Sequence, residues 1–332
     1  MSNLIKYLNS SYEKIVVVVS SDVLGGHEQQ ALYLINMLMK YGPVTVICTN
    51  ISIHAYFNKL RCSVVIEPFF RRGKFWSQLW YSRHTKKMFA KYVTNADLIF
   101  VSGGTLDATI NPVYACKAIS PKIECISYVP MYVDRSLVYG FVGRIYNYAI
   151  DFLGRKADSY CVINRIQASV FKRKLNSNVY IHRNTIREVS IPAQSFGKRL
   201  IYIGRFDDLQ KNLSKLLLML DVIDNPYREL IMIGSGPCEA NLRKIASKSK
   251  FINVKFLTWL NSVDMDSAIG SNDCLILNSR WEGEPLVVRE FLLRGLPCIS
   301  RNIDGVRGLI PRANRFSSEY ELIKVLNRIW NS

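Results

Sequence analysis

The stretch EKIVVVVSSDVLGGHEQQALYLINMLMKYGPVTVICTN, residues 13–50, decides the fold class. EKIVVVVSS is a short β-branched run that ends in small residues, and LGGHEQQ follows it. ALYLINMLMKYG then repeats apolar residues at helical spacing and stops at Gly42. PVTVICTN is the next strand. Strand, glycine-rich turn, helix and strand make a βαβ unit, which implies a parallel sheet. Further strand-like runs follow at CSVVIEP, DLIFVSGG, IECISYV, SYCVIN and NVYIHRN, with helical stretches between several of them.

A second series starts after IPAQSFGK (191–198), a Pro, Ser and Gly stretch that reads as a linker. RLIYIGRF, RELIMIGSG, NVKFLTWL, DCLILNS and LPCISRN read as strands, with LSKLLLMLDVI and EANLRKIASKS as helices among them. The reading is an α/β protein of two doubly wound, Rossmann-like parallel-sheet domains on either side of a cleft. The first covers 1–190 and the second 198–315. An amphipathic helix at 316–332 is free to pack back on the first. In such sheets ligands bind beyond the carboxyl ends of the strands. The turns LGGHEQQ, GRFDDLQKN, GSGP and SRWEGEP are therefore the candidate sites.

A chain of 332 residues suits two domains. With 49% apolar and 21% charged residues, the composition excludes disorder and a coiled coil. No apolar run approaches the roughly 18 residues that span a bilayer. The opening MSNLIKYLNSSYEK lacks a signal-peptide pattern, so a cytoplasmic location is expected. The eight cysteines form no C-x-x-C pair, and most lie in strand-like runs. They read as small buried hydrophobes in a reducing compartment, and neither as zinc ligands nor as a disulfide framework.

The net charge is +18, and residues 1–190 carry +13 of it. The excess is densest in PFFRRGKFWSQLWYSRHTKKMFAKYV (68–93), which holds no acid. Arg71, Arg72, Lys74, Lys86 and Lys87 alternate there with aromatics that include Trp76 and Trp80. Such a segment suits an anionic membrane surface or a glycan acceptor. Nucleic acid and a plain solvated helix are the other readings of the same residues.

Three strand-end turns in the second half carry chemistry. GRFDDLQKN places Arg205 and Lys211 where a diphosphate needs its charge neutralised, Arg as a planar fork and Lys as a point charge. GSGP (234–237) lacks the third glycine of a dinucleotide fingerprint and reads instead as a tight turn beside a nucleotide. In WEGEPLVVRE, Gly283 lets a ligand approach the backbone at a helix start, where N–H groups favour phosphate. Glu290, two turns into that helix, suits the vicinal hydroxyls of a ribose, and Glu282 at the turn can reach sugar hydroxyls. Asp264 and Asp266 form a D-x-D that reads as an acidic helix start with Ser262 as cap, and no metal is expected.

These pieces, in this order, resemble glycosyltransferase family 4, retaining enzymes of the GT-B fold and a common bacterial surface-polysaccharide type. The resemblance rests on LGGHEQQALYLINMLMKYG, ADSYCVINRIQASVF, NVYIHRNTI, YIGRFDDLQKN, IMIGSGP, VKFLTWL and NSRWEGEPLVVREFLLRGLPCISRNIDG. It implies transfer of a sugar from a nucleotide-sugar donor to an acceptor hydroxyl, with retained anomeric configuration. It implies that Arg205 and Lys211 hold the leaving diphosphate and Glu290 binds the ribose. Glu282, with Gly283, Glu284, Pro285, Leu286 and Val287, would hold the donor sugar and phosphate. Gly25 and Gly26 would let the first domain's loop close on the diphosphate. No cofactor is implied beyond the donor substrate. The sequence departs from the family at ECISYVPMYVD, which lacks a histidine common there; Tyr128 or Tyr132 stands in that space. Pro285 replaces a glycine and removes one N–H donor.

The leading expectation is a metal-independent glycosyltransferase on the cytoplasmic face of a membrane, acting on a lipid-linked or anionic glycan, with no nucleic acid as partner. A catalytically silent nucleotide-sugar binder, motivated by the missing histidine, is the alternative.

Overall fold

The computed structural model describes residues 4–8, 11–22, 24–69, 75–192 and 194–332, without the side chains of 75–79 and 262. The chain forms two compact units, Met1–Thr185 and Ile186–Ser332.

In the first unit the strands are β1 (Ile15–Ser20), β2 (Val44–Cys48), β3 (Ser63–Ile66), β4 (Leu98–Gly103), β5 (Glu124–Tyr128), β6 (Ser159–Val162) and β7 (Asn178–Ile181). All pair in parallel, in the order β3-β2-β1-β4-β5-β6-β7. The helices between them are α1 (Gly26–Leu38), α2 (Ile51–Phe57), α3 (Phe75–Val93), α4 (Leu106–Ile119), α5 (Ser136–Gly154) and α6 (Arg165–Leu175). Every residue of β1 is buried, as a parallel strand with helices on both faces requires. Its period-2 alternation divides two cores. Val16 and Val18 face Phe89 of α3, Ile110 of α4, Ile150 of α5 and Phe171 of α6. Ile15, Val17 and Val19 face Leu34 of α1 and Ile53 and Phe57 of α2. Asn50 and Asn164 cap α2 and α6 by accepting from the N–H groups of Ile53 and Gln167.

The second unit has β8 (Leu200–Ile203), β9 (Glu229–Ile233), β10 (Asn253–Leu257), β11 (Cys274–Leu277), β12 (Cys298–Arg301) and β13 (Arg315–Phe316), again all parallel, in the order β10-β9-β8-β11-β12-β13. Its helices are α7 (Asp208–Lys211), α8 (Leu213–Val222), α9 (Glu239–Ala246), α10 (Ser262–Ala268), α11 (Leu286–Leu293) and α12 (Glu319–Trp330). Each sheet reverses its strand order once, between β1 and β4 in the first unit and between β8 and β11 in the second. These are the switch points where open α/β sheets bind ligands.

Three expectations change. The segment 191–198 is no free linker: Ser271 N–H donates to the Gln194 carbonyl, and the Asn272 amide to Ser195 Oγ and the Phe196 carbonyl. The compact units divide at 185–186. Asn261, not Ser262, caps α10. The C-terminal helix, expected to be free to pack elsewhere, lies in the second unit. Leu322, Val325, Leu326 and Ile329 place its whole apolar stripe in the core of the second unit, and Trp330 packs edge-on against Tyr227 with ring centroids 4.9 Å apart.

Leu326 is fully buried in that core. We predict that Leu326→Ala lowers unfolding free energy by about 2–5 kcal/mol, measured by denaturant melts. A loss below roughly 0.5 kcal/mol, typical of surface positions, would show that α12 is not part of this core.

Candidate functional site

The site in the second unit begins with the chain leaving β8. The loops after β8 and β9 are knitted together: Phe206 N–H donates to the Ser235 carbonyl at 2.8 Å and Cys238 N–H to the Phe206 carbonyl at 3.2 Å. Gly236 is required there, since a Cβ would lie 2.4 Å from the Phe206 carbonyl oxygen. Asp207 caps α7 through the N–H groups of Leu209 and Gln210, and its other oxygen accepts from Arg205 at 2.8 Å. The buried Tyr202 hydroxyl donates to the Arg205 carbonyl at 2.9 Å, which fixes the backbone that carries the guanidinium. Arg205 itself stays partly exposed.

Lys211, at the end of α7, reaches across to the loop after β11. Its ammonium lies 2.5 Å from Glu282 Oε1, and both side chains are largely buried. Ser279 Oγ donates to the same oxygen at 2.6 Å, and the Gln210 amide to the Trp281 carbonyl at 3.2 Å. Arg280 ties the two loops from behind: its guanidinium donates to the carbonyls of Asp208 and Leu209 and to Asn212 Oδ1. Those carbonyls lie in the last turn of α7, where helical carbonyls run short of backbone donors, and the Asp208 carbonyl also accepts from Asn212 N–H at 3.0 Å. Asn212 closes the helix in the left-handed conformation, φ 54°. Gly305 backs Glu282 closely, since a Cβ there would lie 2.3 Å from the Glu282 carbonyl. Arg205, Lys211 and Glu282, the three residues expected to be catalytic, thus share one cluster at the carboxyl ends of β8 and β11.

Glu290 belongs to a second cluster. It lies in the second turn of α11, which starts at Leu286 after Pro285 with no side-chain cap. Arg187 Nε lies 3.4 Å from its carboxylate and Arg187 Nη2 lies 3.2 Å from Asp266, which Arg294 also contacts. Burial pushes the Glu290 carboxyl above its usual range despite Arg187 and Arg294. Burial would raise Asp266 as well, but hydrogen bonds from Arg294 and Arg187 hold it below the usual range. Arg187, Arg294, Gln210, Ser279 and Arg280 were not singled out in the sequence, and Asp266 was read there only as part of an acidic helix start. The one local signal for Arg280 is its place beside Trp281 and Glu282; the others are paired by the fold alone. Gly283 and Pro285 are buried, and Glu284 pairs with Arg289 at 3.6 Å.

In the first unit, Gly25 precedes α1 without a side-chain cap, and both Gly25 and Gly26 are exposed. Next to them, at the β1/β4 switch point, His27 Nε2 lies 3.1 Å from Ser102 Oγ. The His27 ring stacks on Tyr128 at 5.7 Å, and His182 meets the same tyrosine edge-on at 6.3 Å. Neither ring nitrogen of His182, nor Nδ1 of His27, has a partner among the described residues. Tyr132 is committed elsewhere, donating to Asp151 at 2.8 Å. Of the two tyrosines at the histidine-less stretch, Tyr128 is therefore the one beside this histidine pair. The sequence reading set His182 aside as lying off the predicted cleft loops, although a polar HRN directly after a strand marks a carboxyl end.

The expected membrane surface is only partly described. Arg71, Arg72 and Lys74 lie outside the described residues, as does the side chain of Trp76. Trp80, Lys86 and Lys87 are exposed on α3.

Residues 187–316 match the family model for glycosyl transferases group 1. The second unit thus carries the likeness to this family. The match begins at Arg187 and takes in both clusters of the second unit. A Klebsiella pneumoniae protein described as an uncharacterized 41.2 kDa protein in the cps region is 22% identical over 267 residues, 71% of each chain. The Escherichia coli UDP-Gal:alpha-D-GlcNAc-diphosphoundecaprenol alpha-1,3-galactosyltransferase is 30% identical over 94 residues, 27% of this chain and 24% of that one. The structure of Anabaena HepE in complex with UDP-glucose superposes with a TM-score of 0.71 at 14% identity, covering 95% of this chain and 89% of that one. The fold of the chain is GT-B.

Burial drives the pKa values of His27 and His182 below the usual histidine range. The unfolded chain, with histidines near 6.5, then binds more protons than the folded one below that pH. Stability is fully present above about pH 6.5 and falls as the pH drops. We predict that denaturant melts between about pH 7.5 and 5 show this loss and that His182→Phe reduces it. An unchanged slope in the variant would mean that His182 does not stay neutral in the fold.

Proposed function

We propose that this transferase moves a sugar, with retention of configuration, from a nucleotide-sugar donor to a hydroxyl of a lipid-linked or anionic glycan in bacterial surface-polysaccharide synthesis. The observation that carries the reading is the convergence of Arg205, Lys211 and Glu282 at the β8/β11 switch point. Arg205 and Lys211 neutralise the diphosphate as the bond from the sugar's anomeric carbon to the phosphate oxygen breaks and its electron pair leaves with the phosphate. Two fixed cations supply there the charge that a divalent ion would otherwise bring. The acceptor oxygen bonds to the anomeric carbon on the same face, and its proton passes to the departing oxygen. Glu282, held by Lys211 and Ser279, orients the sugar hydroxyls. The open N-terminus of α11 faces the phosphates, and Glu290 accepts from the ribose.

The relatives support the biological setting: one is named for a cps region and another for a diphosphoundecaprenol-linked acceptor. A neighbouring structure holds UDP-glucose. Among the described residues no helix is long and apolar enough to cross a membrane. The reading includes peripheral attachment at the cytoplasmic face, for which the basic segment 68–93 is suited. Nucleic acid has no part in this reading.

Arg205→Ala should lower turnover of the donor by about 10²–10³, the scale for losing one preorganised charge, with an unchanged melting temperature. NMR of the product should show the donor's anomeric configuration. A rate near wild type would remove Arg205 from the site, an inverted product would refute retention, and donor binding without turnover on any acceptor or on water would favour the silent binder.

A further inference from the structure

The outer face of α5 is apolar where a soluble helix is normally polar. Gly140, at φ 54°, breaks the helix near its start. In the continuous part that follows, Phe141, Ile145, Tyr148 and Phe152 are between 57% and 76% exposed. Their spacing of four, three and four residues places them within about 60° of arc at 3.6 residues per turn. Val142 is exposed beside them. The buried side of α5 is the opposite one, with Asn147, Ile150 and Leu153 turned inward.

The charge around this stripe has one sign. Helices α3, α4, α5 and α6, which share one core beneath the sheet, carry ten Lys and Arg and two acids. Both acids are occupied: Asp107 pairs with Arg135 at 2.7 Å, and Asp151 accepts from Tyr132. On the outward side of α5 the charged residue is Arg144. Trp80 of α3 is 79% exposed, and α3 also presents Lys86 and Lys87.

We propose that the first unit docks on an anionic lipid bilayer through α5, its Phe141–Ile145–Tyr148–Phe152 stripe entering the headgroup boundary and the cations of α3 and α6 flanking it on the lipid phosphates. A buried apolar stripe with cationic flanks is what an interfacial helix needs. Charge argues against a second copy on the same face, since like-charged helices would meet. The docking face rests on the reading of a lipid-linked acceptor and places the apolar part of the attachment on α5, with the basic segment contributing flanking cations.

The test is sedimentation of the full chain with phosphatidylcholine vesicles, with and without phosphatidylglycerol, at low and high salt. No nucleotide is needed, so the outcome is separate from that of donor binding. Wild type should bind the anionic vesicles. The combined variant Phe141→Ser, Ile145→Ser, Tyr148→Ser and Phe152→Ser should bind them roughly a hundredfold less or weaker, from the apolar area lost. Its melting temperature should stay unchanged, as expected for exposed positions. Lys86→Gln with Lys87→Gln should weaken binding at low salt and leave the salt-resistant part in place. Equal vesicle binding by the serine variant would overturn the proposal. So would a wild-type dimer in sedimentation velocity that the variant splits into monomers, which would assign the face to a second copy. Intact vesicle binding without any nucleotide binding would leave the docking face standing and reject the donor site alone.

Discussion

The second unit is organised around the ion pair between Lys211 and Glu282. Two largely buried charges of opposite sign are tolerable only when each is paired and hydrogen-bonded, and the surrounding residues meet that demand. Ser279 serves one carboxylate oxygen, and Arg280 holds the short helix that delivers the lysine. Gly305 lets the backbone behind Glu282 come close, and Gly236 does the same for the loop that carries Arg205. All this sits where the strand order reverses, the one place at which loops from neighbouring strands diverge and leave backbone N–H groups and side chains facing outward. Under the proposed function, a diphosphate arriving there would meet charge already positioned, which would leave little reorganisation for the reaction itself.

The two units divide the chemistry by charge and polarity. The second concentrates its ions in paired clusters beside the strand ends. The first holds a nearly neutral cluster at its own switch point, where burial keeps His27 and His182 uncharged beside Tyr128. Neutral imidazole both donates and accepts, which fits hydroxyl groups better than phosphate. The positive excess of this unit lies instead on its helices, around the apolar face of α5.

Much of this was legible in the sequence, for identifiable reasons. Buried parallel strands are continuous apolar runs, so IVVVVS and its counterparts could be read directly. The two-residue β13 carries no such signal. The turns with Arg205, Lys211 and Glu282 were legible because strand ends are where ligands bind. The partners of Glu290 were not, since Arg187 and Asp266 meet it only through the fold. The stripe on α12 announced that the helix is packed and gave no sign against what. In α5 nearly every residue is apolar, so periodicity could not separate the inward face from the outward one; only the position of the sheet beneath it does.

The most direct measurement of the account is a thermal-shift series of the purified chain with UDP, GDP, ADP and CDP and their sugar conjugates. A ligand that binds only the folded state raises its melting temperature by mass action. A clear rise is expected with one nucleotide class, absent in Glu290→Ala and reduced in Lys211→Met. No rise with any of them, or an equal rise in both variants, would contradict the assignment of the β8/β11 cluster as the donor site.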